Sequence, residues 1–379
     1  MDFSLNKEQT MIKDAVERLM HRHYTFAQRD TYARGAAGWS EAMWQRYSEV
    51  GLLGLFDSDV GGPVEAMIVM EAFGHSLVLE PFLAAVLLCG RAVQRAGGGS
   101  HAELLQDIAA GRLLMAFAHT EPSSRYELSR VATRATCKDR RWILSGAKSA
   151  IMHGDCARRL LVSARVAGEP ADPSGIGLFL IDAGSAGVRR TGYTTQDGLR
   201  AADLVLDRVE VVAADVLGPP GAMFPLIQEL ADVAIAATAA EAVGAMQALH
   251  DMTVAYLKTR RQFGVAIGTF QALQHRCVDM LVELEQARSM ALYAAMMASE
   301  PDARSRSAAM SAVKVQITKS SRYVAQQAIQ LHGGIGMTTE YAASHYFLRL
   351  MAMQARFGDG AHHLNALASI DGREVLPAA

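Results

Sequence analysis

Hydrophobic side chains recur at helical spacing along the first part of the chain. Asn6 is followed three residues later by Gln9, the capping-box pattern of a helix start. Apolar residues then share one helical face: Met11, Ile12, Ala15, Val16, Leu19 and Met20. Similar spacing predicts helices at Ser40–Glu49, Pro63–Leu77, Pro81–Ala96 and Ala102–Ala110. Residues 1–111 are therefore predicted to form an all-helical N-terminal domain.

From residue 112 the pattern changes to short runs of β-forming residues that Gly, Pro and Asp separate. These runs predict strands at Leu113–His119, Val131–Lys138, Trp142–Ser145, Leu160–Val166, Gly177–Ile181 and Leu204–Val212. Many short strands in close succession are typical of a barrel or sandwich. Residues 112–220 are therefore predicted to form a middle β-domain.

Long helical patterns return after Pro225. They predict helices at Leu226–Thr259, Thr269–Ala298, Ser305–Leu331 and Tyr341–Ala355. Four long helices with short connections favour an antiparallel four-helix bundle, which assigns residues 221–379 to a C-terminal domain. The predicted fold class is α+β, with a helical domain, a β-domain and a helical bundle in that order.

Composition narrows the class of protein. Half of the 379 residues are hydrophobic, 20% are charged and the formal net charge is -2, which indicates a globular protein and argues against a nucleic-acid partner. The stretch Met1–Lys7 lacks the features of a leader, and no apolar run reaches about 18 residues, so we expect a cytoplasmic protein with no membrane association. The four cysteines are widely separated, so we expect reduced thiols and no metal site.

One motif carries side chains suited to a dinucleotide. It runs Arg260-Arg261-Gln262-Phe263-Gly264 and continues to Gln271. A guanidinium pairs with pyrophosphate oxygens, an aromatic ring covers the dinucleotide and an amide hydrogen-bonds nearby. The alternative interpretation is an ordinary joint between two helices with a glycine turn.

Two further motifs point the same way. The second motif is Gln330-Leu331-His332-Gly333-Gly334-Ile335-Gly336, followed by Thr339-Glu340-Tyr341. Its glycines allow a ligand to approach the backbone closely because they lack Cβ. Its alternative interpretation is a helix C-cap. The segment Ala116-Phe117-Ala118-His119-Thr120-Glu121-Pro122 ends the first predicted strand.

Together these motifs resemble those of acyl-CoA dehydrogenases, and the resemblance spans nearly the whole chain. It implies FAD as the cofactor. The residues expected to reach the FAD of a neighbouring subunit are Arg260, Phe263 and Gln271, and those expected at the adenosine part of FAD are Gln330, Gly333 and Gly334. The residues expected at the isoalloxazine ring are Phe117 and Thr120. It also implies an acyl-CoA substrate, a role in fatty-acid β-oxidation, an electron-transfer flavoprotein as acceptor and a tetrameric assembly.

The chain departs from the family pattern near the flavin. Arg125 and Tyr126 follow Glu121-Pro122, where the family has small residues that admit the pyrophosphate and the acyl-CoA. Ala150-Ile151-Met152 stands where the family has Trp-Ile-Thr, so a ring packed on the flavin and a hydroxyl at flavin N5 are both lost.

The family's usual catalytic base is also missing. A carboxylate must remove the α-proton of the acyl thioester, and the resemblance places this residue at Gly358. Asp359 is a candidate base, but a carboxylate displaced by roughly 1 Å can cost on the order of 100-fold in rate. The other location known in the family corresponds to Ala234, with Ile235 where an arginine would stand. Nearby polar residues are interpreted as structural: Glu241, His362 and His363.

Three hypotheses follow from these losses. The first is a subunit that binds FAD while a homologous large subunit supplies the base and the acyl-CoA pocket; in this respect the chain resembles small subunits of the pimeloyl-CoA dehydrogenase type. The second is a self-sufficient homotetramer with Asp359 as base. The third is a flavin-free helical interaction protein on the same scaffold.

Overall fold

The computed structural model describes residues 4–57, 61–97 and 101–370. Residues 1–3, part of the N-terminal stretch considered above, lie outside the described residues. The chain divides into two compact units. Unit 1 contains Met1–Thr31, Pro63–Val78 and Ile235–Ala379, and unit 2 contains Tyr32–Gly62 and Leu79–Ala234. The domain boundaries expected near residues 111 and 220 stay a prediction.

The N-terminal region is helical, as predicted. Its α-helices are α1 (Lys7–His23), α2 (Phe26–Arg34), α3 (Glu41–Glu49), α4 (Pro63–Ser76), α5 (Arg91–Ala96) and α6 (Ala102–Ala109). A π-helical stretch, Leu83–Gly90, leads into α5. The predicted capping box is confirmed at α1, where the Asn6 side chain accepts from the Gln9 N–H at 2.8 Å and the Gln9 side chain accepts from the Asn6 N–H at 3.0 Å. Helix α2 was not predicted.

Unit 2 contains one sheet of eight strands among the described residues. The strands are β1 (Met115–Ala118), β2 (Arg134–Lys138), β3 (Arg141–Met152), β4 (Arg159–Arg165), β5 (Ile176–Asp182), β6 (Val188–Thr194), β7 (Arg200–Val212) and β8 (Val216–Leu217). Their order is β6-β7-β3-β2-β4-β5-β8, and β1 pairs in parallel with β4. The predicted strand at 142–145 is only the first part of β3, and β6 was missed. The buried core of this sheet includes Leu144, Leu160, Phe179 and Leu204.

The C-terminal helices are α7 (Phe224–Thr259), α8 (Gln271–Met297), α9 (Ala303–His332), α10 (Ala342–Ala355) and the shorter α11 (Gly360–Ile370). A two-stranded hairpin, β9 (Arg261–Gln262) and β10 (Val265–Ala266), joins α7 to α8. The four long helices lie close to their predicted bounds. The predicted fold class is confirmed: helices, then a sheet, then a helical bundle. Within the described residues, no helix combines the length and the apolar character needed to cross a membrane.

Candidate functional site

The hairpin between α7 and α8 presents a phenyl ring and a guanidinium to solvent in unit 1. Gln262 pairs with Val265, which leaves a two-residue loop. Phe263 (φ 53°) and Gly264 (φ 81°) both have positive φ, as a type I′ turn requires. Phe263 is 89% exposed, and its ring meets that of Phe270 edge-on at 6.1 Å. The turn therefore holds an aromatic ring away from its own unit.

Arg260 and Gln271 flank this hairpin, and both are exposed. The Arg260 N–H donates to the Tyr256 carbonyl, so its backbone continues the end of α7. Among the described residues, neither side chain takes part in a hydrogen bond or ion pair. A free guanidinium and an amide can donate to pyrophosphate oxygens, and the exposed ring can pack on a dinucleotide.

The glycine turn lies beside the hairpin in the same unit. Tyr256, one helical turn before Arg260, packs on His332 with ring centroids 4.7 Å apart. His332 directly precedes Gly333 (φ 65°), whose N–H donates to the Ile329 carbonyl and ends α9. A Cβ at Gly333 or Gly334 would meet no atom within 4 Å, and Gln330 is exposed. The structure therefore places the end of α7 next to the glycine turn, and the space in front of both glycines is open.

Of the aromatic residues in this cluster, Tyr256 was not singled out in the sequence. The His332 ring also contacts that of Tyr341, with centroids 5.2 Å apart, and the two side chains form a hydrogen bond of 3.3 Å. His332 Nδ1 lies 2.8 Å from the Ala328 carbonyl, so Nδ1 is the donor there and Nε2 accepts from the Tyr341 hydroxyl. These contacts fix the ring that supports the glycine turn. A tyrosine one helical turn before Arg260 was the available sequence signal.

Phe117 and Thr120 lie at the end of β1 in unit 2. Phe117 is half-buried and stacks on His119 with centroids 5.5 Å apart. Thr120 is exposed, and its carbonyl accepts from the Ser149 N–H at 2.9 Å. At the two positions matched to the missing flavin contacts, Ala150 is exposed and Met152 is half-buried. The roles predicted for Phe117 and Thr120 stay predictions.

Gly358, the position matched to the family's catalytic glutamate, has little room for a side chain. Gly358 is buried and has φ 103°, a conformation that side-chain-bearing residues rarely adopt. A Cβ built there would lie 2.4 Å from His363 Nε2 and 2.8 Å from His362 Cδ2. Phe357, the preceding residue, also has a positive φ of 56°. A glutamate at position 358 would therefore strain the backbone and would require the His363 ring to move.

Asp359 serves the helix that follows. Its carboxylate accepts from the His362 N–H at 2.8 Å, which caps the start of α11. His363 Nε2 donates to the Phe357 carbonyl at 2.9 Å, and its Nδ1 accepts from the Ser311 hydroxyl at 3.0 Å. The catalytic role considered for Asp359 stays a prediction, whereas its capping contact is a structural one.

A buried lysine holds the end of the preceding helix. Lys314 Nζ donates to the carbonyls of Met353 and Arg356, both at 2.7 Å, where α10 ends. Burial lowers the pKa of Lys314 to about 7. With the two histidine contacts, this ammonium fixes the backbone on both sides of Gly358.

The second position at which the family can carry its catalytic base also lacks a carboxylate. Ala234 and Ile235 are buried and carry no ionisable group. Glu241 is buried, and its carboxylate pairs with the Arg349 guanidinium at 2.6 Å. Arg349 also donates to the Val78 carbonyl at 3.1 Å. This ion pair supports the interpretation of Glu241 as a structural carboxylate, which stays a prediction. Within the described residues, no group of acidic, histidine and cysteine side chains is arranged to hold a metal ion.

Acidification is expected to destabilise the chain through two buried histidines. Burial lowers the pKa of His363 to about 4 and that of His119 to about 3. Below the ordinary value near 6.5 the unfolded chain therefore binds protons that the folded chain does not, and the unfolding free energy falls towards pH 4. Each histidine contributes at most about 1.4 kcal/mol per pH unit.

Urea unfolding between pH 7 and pH 4.5 measures this slope. His363→Gln should flatten it, because glutamine keeps a donor and an acceptor without titrating. The control is His275→Gln, at an exposed position of α8. Equal slopes for the wild type and His363→Gln would contradict the assignment.

Comparison with known proteins identifies the relatives of this chain. The acyl-CoA dehydrogenase middle-domain model matches residues 116–209, and the acyl-CoA dehydrogenase C-terminal-domain model matches residues 224–370. The probable acyl-CoA dehydrogenase YngJ of Bacillus subtilis is 28% identical over 388 residues, which cover 99% of this chain and 100% of YngJ.

Two solved structures are similar over nearly their whole length. A Tcur3481–Tcur3483 steroid ACAD variant is 26% identical with a TM-score of 0.86, and the match covers 97% of this chain and 99% of that chain. A chain in the structure described as the electron transferring flavoprotein of Acidaminococcus fermentans is 26% identical with a TM-score of 0.89, over 99% of this chain and 100% of that chain. Since the matched models take up more than half of the sequence and the relatives span nearly all of it, this chain belongs to the acyl-CoA dehydrogenase family.

Proposed function

We propose that this chain is an FAD-binding subunit of a heteromeric acyl-CoA dehydrogenase whose homologous large subunit supplies the catalytic base and the acyl-CoA pocket. The observation that carries the proposal is a contrast within unit 1. The residues suited to the dinucleotide are exposed and free, whereas the position matched to the base is closed around Gly358.

This contrast suggests how the two subunits share the work of the enzyme: this chain contacts the cofactor and the partner supplies the base. When bound, FAD would supply the acceptor for the hydride that leaves the β-carbon of the acyl thioester. In this proposal Arg260 neutralises pyrophosphate charge, Phe263 covers the dinucleotide and Gln271 hydrogen-bonds to it, all towards a cofactor on the neighbouring subunit. Gln330 lies beside the turn, and Gly333 and Gly334 leave their backbone accessible to the adenosine. The α-proton is removed by a carboxylate that the partner provides.

An exposed apolar side of α8 supports assembly with a neighbour. Five large apolar side chains along this helix are between 40% and 57% exposed: Val278, Leu281, Val282, Tyr293 and Met296. Large apolar residues gathered on one exposed element favour burial against another chain. The hairpin that carries Phe263 directly precedes this helix, so a neighbour packed there would also meet the ring. A dimer of dimers or a heterotetramer would satisfy both features.

Two relatives support the finer parts of the proposal. The name of the Tcur3481–Tcur3483 steroid ACAD pairs two components, which favours a heteromeric assembly of the pimeloyl-CoA dehydrogenase kind over a homotetramer. The similar chain in the Acidaminococcus fermentans structure favours an electron-transfer flavoprotein as electron acceptor.

The test is co-expression with a homologous acyl-CoA dehydrogenase chain from the same genome, followed by measurement of flavin per chain. We expect one FAD per pair of chains. In that complex, Arg260→Gln should weaken FAD binding about 10- to 100-fold, because a charge-assisted contact worth about 1.5–3 kcal/mol is lost. Arg261→Gln is the matched control, since the Arg261 guanidinium donates to the Gly264 carbonyl of its own hairpin.

Three outcomes separate the hypotheses. Full FAD content and full activity of the isolated chain would rule out the heteromer. Loss of activity in Asp359→Asn, a variant that preserves the helix cap, would favour Asp359 as base in a self-sufficient enzyme. A complex without flavin absorbance would support the third hypothesis, a flavin-free interaction protein.

A further inference from the structure

A cleft lined by charged side chains lies in unit 2, at the end of β1 opposite to Thr120. Its volume is about 390 Å³, within the range of about 300–1,000 Å³ that is typical of small-molecule sites. Its walls come from α6, the segment before β1, the entry to β4 and the end of β5. The charged residues that line it are Asp107, Arg112, Arg158, Arg159 and Asp182.

Backbone hydrogen bonds fix the position of Arg158 just before β4. Its N–H donates to the Leu114 carbonyl at 2.9 Å, and its carbonyl accepts from the Ala183 N–H at 2.9 Å. The Arg158 side chain is exposed, and it takes part in no hydrogen bond or ion pair with another residue that the structure describes. Arg158 therefore brings an unpaired cation with five N–H donors to the cleft.

The other two arginines of the cleft are held by ion pairs. Arg112 donates through Nε and Nη2 to Asp107 Oδ1 at 2.9 and 2.6 Å. Arg159 Nη2 lies 3.0 Å from Asp215 Oδ1. Each of these pairs balances one positive with one negative charge, so the unbalanced positive charge of the cleft is that of Arg158.

Asp182 supplies an unpaired carboxylate oxygen to the same cleft. Asp182 is the register partner of Arg159 between β4 and β5, and its Oδ1 accepts from the Gly184 N–H at 2.7 Å. Within the described part of the chain, no hydrogen bond or ion pair reaches its Oδ2. The cleft therefore offers a ligand one free cation and one free acceptor.

These two groups define the class of ligand that the cleft suits. A guanidinium pairs with a carboxylate through two parallel hydrogen bonds, and a free carboxylate oxygen requires a donor on the ligand. A dianion such as phosphate would pair with Arg158 but would also meet the negative charge of Asp182. Leu104 and Leu113 add apolar surface to the wall.

We propose that this cleft binds a small organic carboxylate that carries a hydroxyl or ammonium group beside a short apolar chain. Arg158 holds the carboxylate, Asp182 accepts from the hydroxyl or ammonium group, and the leucines contact the chain. The cleft shares no residue with the positions expected to contact FAD. Binding there depends neither on the cofactor nor on a partner subunit.

Ligand-observed NMR with the full-length chain tests the proposal with four probes. Two carry all the required groups: 2-hydroxy-4-methylpentanoate has a hydroxyl and leucine has an ammonium. The third, 4-methylpentanoate, lacks the donor, and the fourth, inorganic phosphate, lacks the apolar chain. We expect at least one of the first two to bind with a Kd of about 1 mM or less, and the last two to bind at least about tenfold more weakly. The tighter of the first two identifies the donor.

Two variants locate the binding. Arg158→Gln should weaken binding of the tighter probe at least about tenfold, because the carboxylate loses its charged partner. Asp182→Asn keeps an acceptor for the Gly184 N–H but removes the charge, so it should weaken binding of that probe without weakening binding of 4-methylpentanoate. Arg141→Gln is the control, since Arg141 does not line the cleft and pairs on the surface with Glu210 at 2.9 Å.

Four results would overturn the proposal. The first is a Kd above about 10 mM for every probe. The second is equal affinity of the wild type and Arg158→Gln, which would place the ligand elsewhere on the chain. The third is phosphate binding as tightly as the carboxylates, and the fourth is 4-methylpentanoate binding as tightly as the probes with a donor. If Asp182→Asn does not fold, Arg158→Gln and the comparison of probes decide.

Discussion

Replacing Gly244 by alanine should lower the free energy of unfolding by about 3 kcal/mol or more, the most damaging single methyl group that we expect. Gly244 on α7 faces α4, where an added Cβ would lie 1.8 Å from the Glu71 carbonyl oxygen and 2.8 Å from the His75 nitrogen. Both are backbone atoms, so no side-chain rotation relieves the clash. Overpacking of this kind typically costs about 1–3 kcal/mol even where side chains can yield.

Denaturant unfolding of purified variants measures this cost. Gly74→Ala should behave similarly, because a Cβ there would lie 1.8 Å from the Glu241 carbonyl oxygen on α7. Gly360→Ala is the control, since its nearest neighbour would be a Thr318 methyl group at an ordinary 3.4 Å. A Gly244→Ala protein as stable as the Gly360→Ala protein would show that α4 and α7 do not cross so closely.

Arg165→Met should have an effect of similar size, a loss of about 3–5 kcal/mol. The Arg165 side chain is buried and donates only to backbone carbonyls within 3.3 Å: Val131, Ala167, Ser174, Ser129, Pro170 and Asp172. Methionine fills much of the same volume but donates to none of them. Each buried acceptor left without a donor costs about 1–3 kcal/mol, and water entering from the loops limits the sum.

The measurement is again denaturant unfolding, with Arg141→Met as the control for loss of an exposed arginine. That control should cost less than about 1 kcal/mol. The loop residues 167–174 should also become the first site of limited proteolysis in Arg165→Met, because their carbonyls lose a common anchor. Proteolysis that starts elsewhere, or a cost as small as that of the control, would contradict this role for Arg165.

Local patterns predicted most of the fold because the long helices carry strong signals. The Asn6 capping box and the four long helices of the bundle follow from residues close together in the sequence. β6 was missed because it lies at the edge of the sheet and, among the described strands, pairs with β7 alone. Most of its side chains are therefore exposed and show no alternation. The π-helical stretch Leu83–Gly90 gives no signal that separates it from an α-helix, since nearly every residue in it is apolar and buried.

The candidate site was predictable only in part. Arg260, Phe263 and the glycine turn were recognised by motif, and the structure places them together and exposed. The closure at Gly358 could not be predicted, because it depends on a backbone dihedral angle and on His363 folding back to the Phe357 carbonyl. The cleft beside Arg158 was also hidden, since Asp107 and Asp182 lie on other segments of the chain.

The closed turn at Gly358 has an evolutionary consequence. Glutamate introduced at this position by a single substitution would meet a backbone with positive φ and the His363 ring. Restoring the acid would require prior changes at His363 and in the turn, each of which removes contacts that now stabilise α11. Such a dependence acts as a ratchet, because no single substitution at position 358 restores the acid while the turn and the His363 ring keep their present geometry.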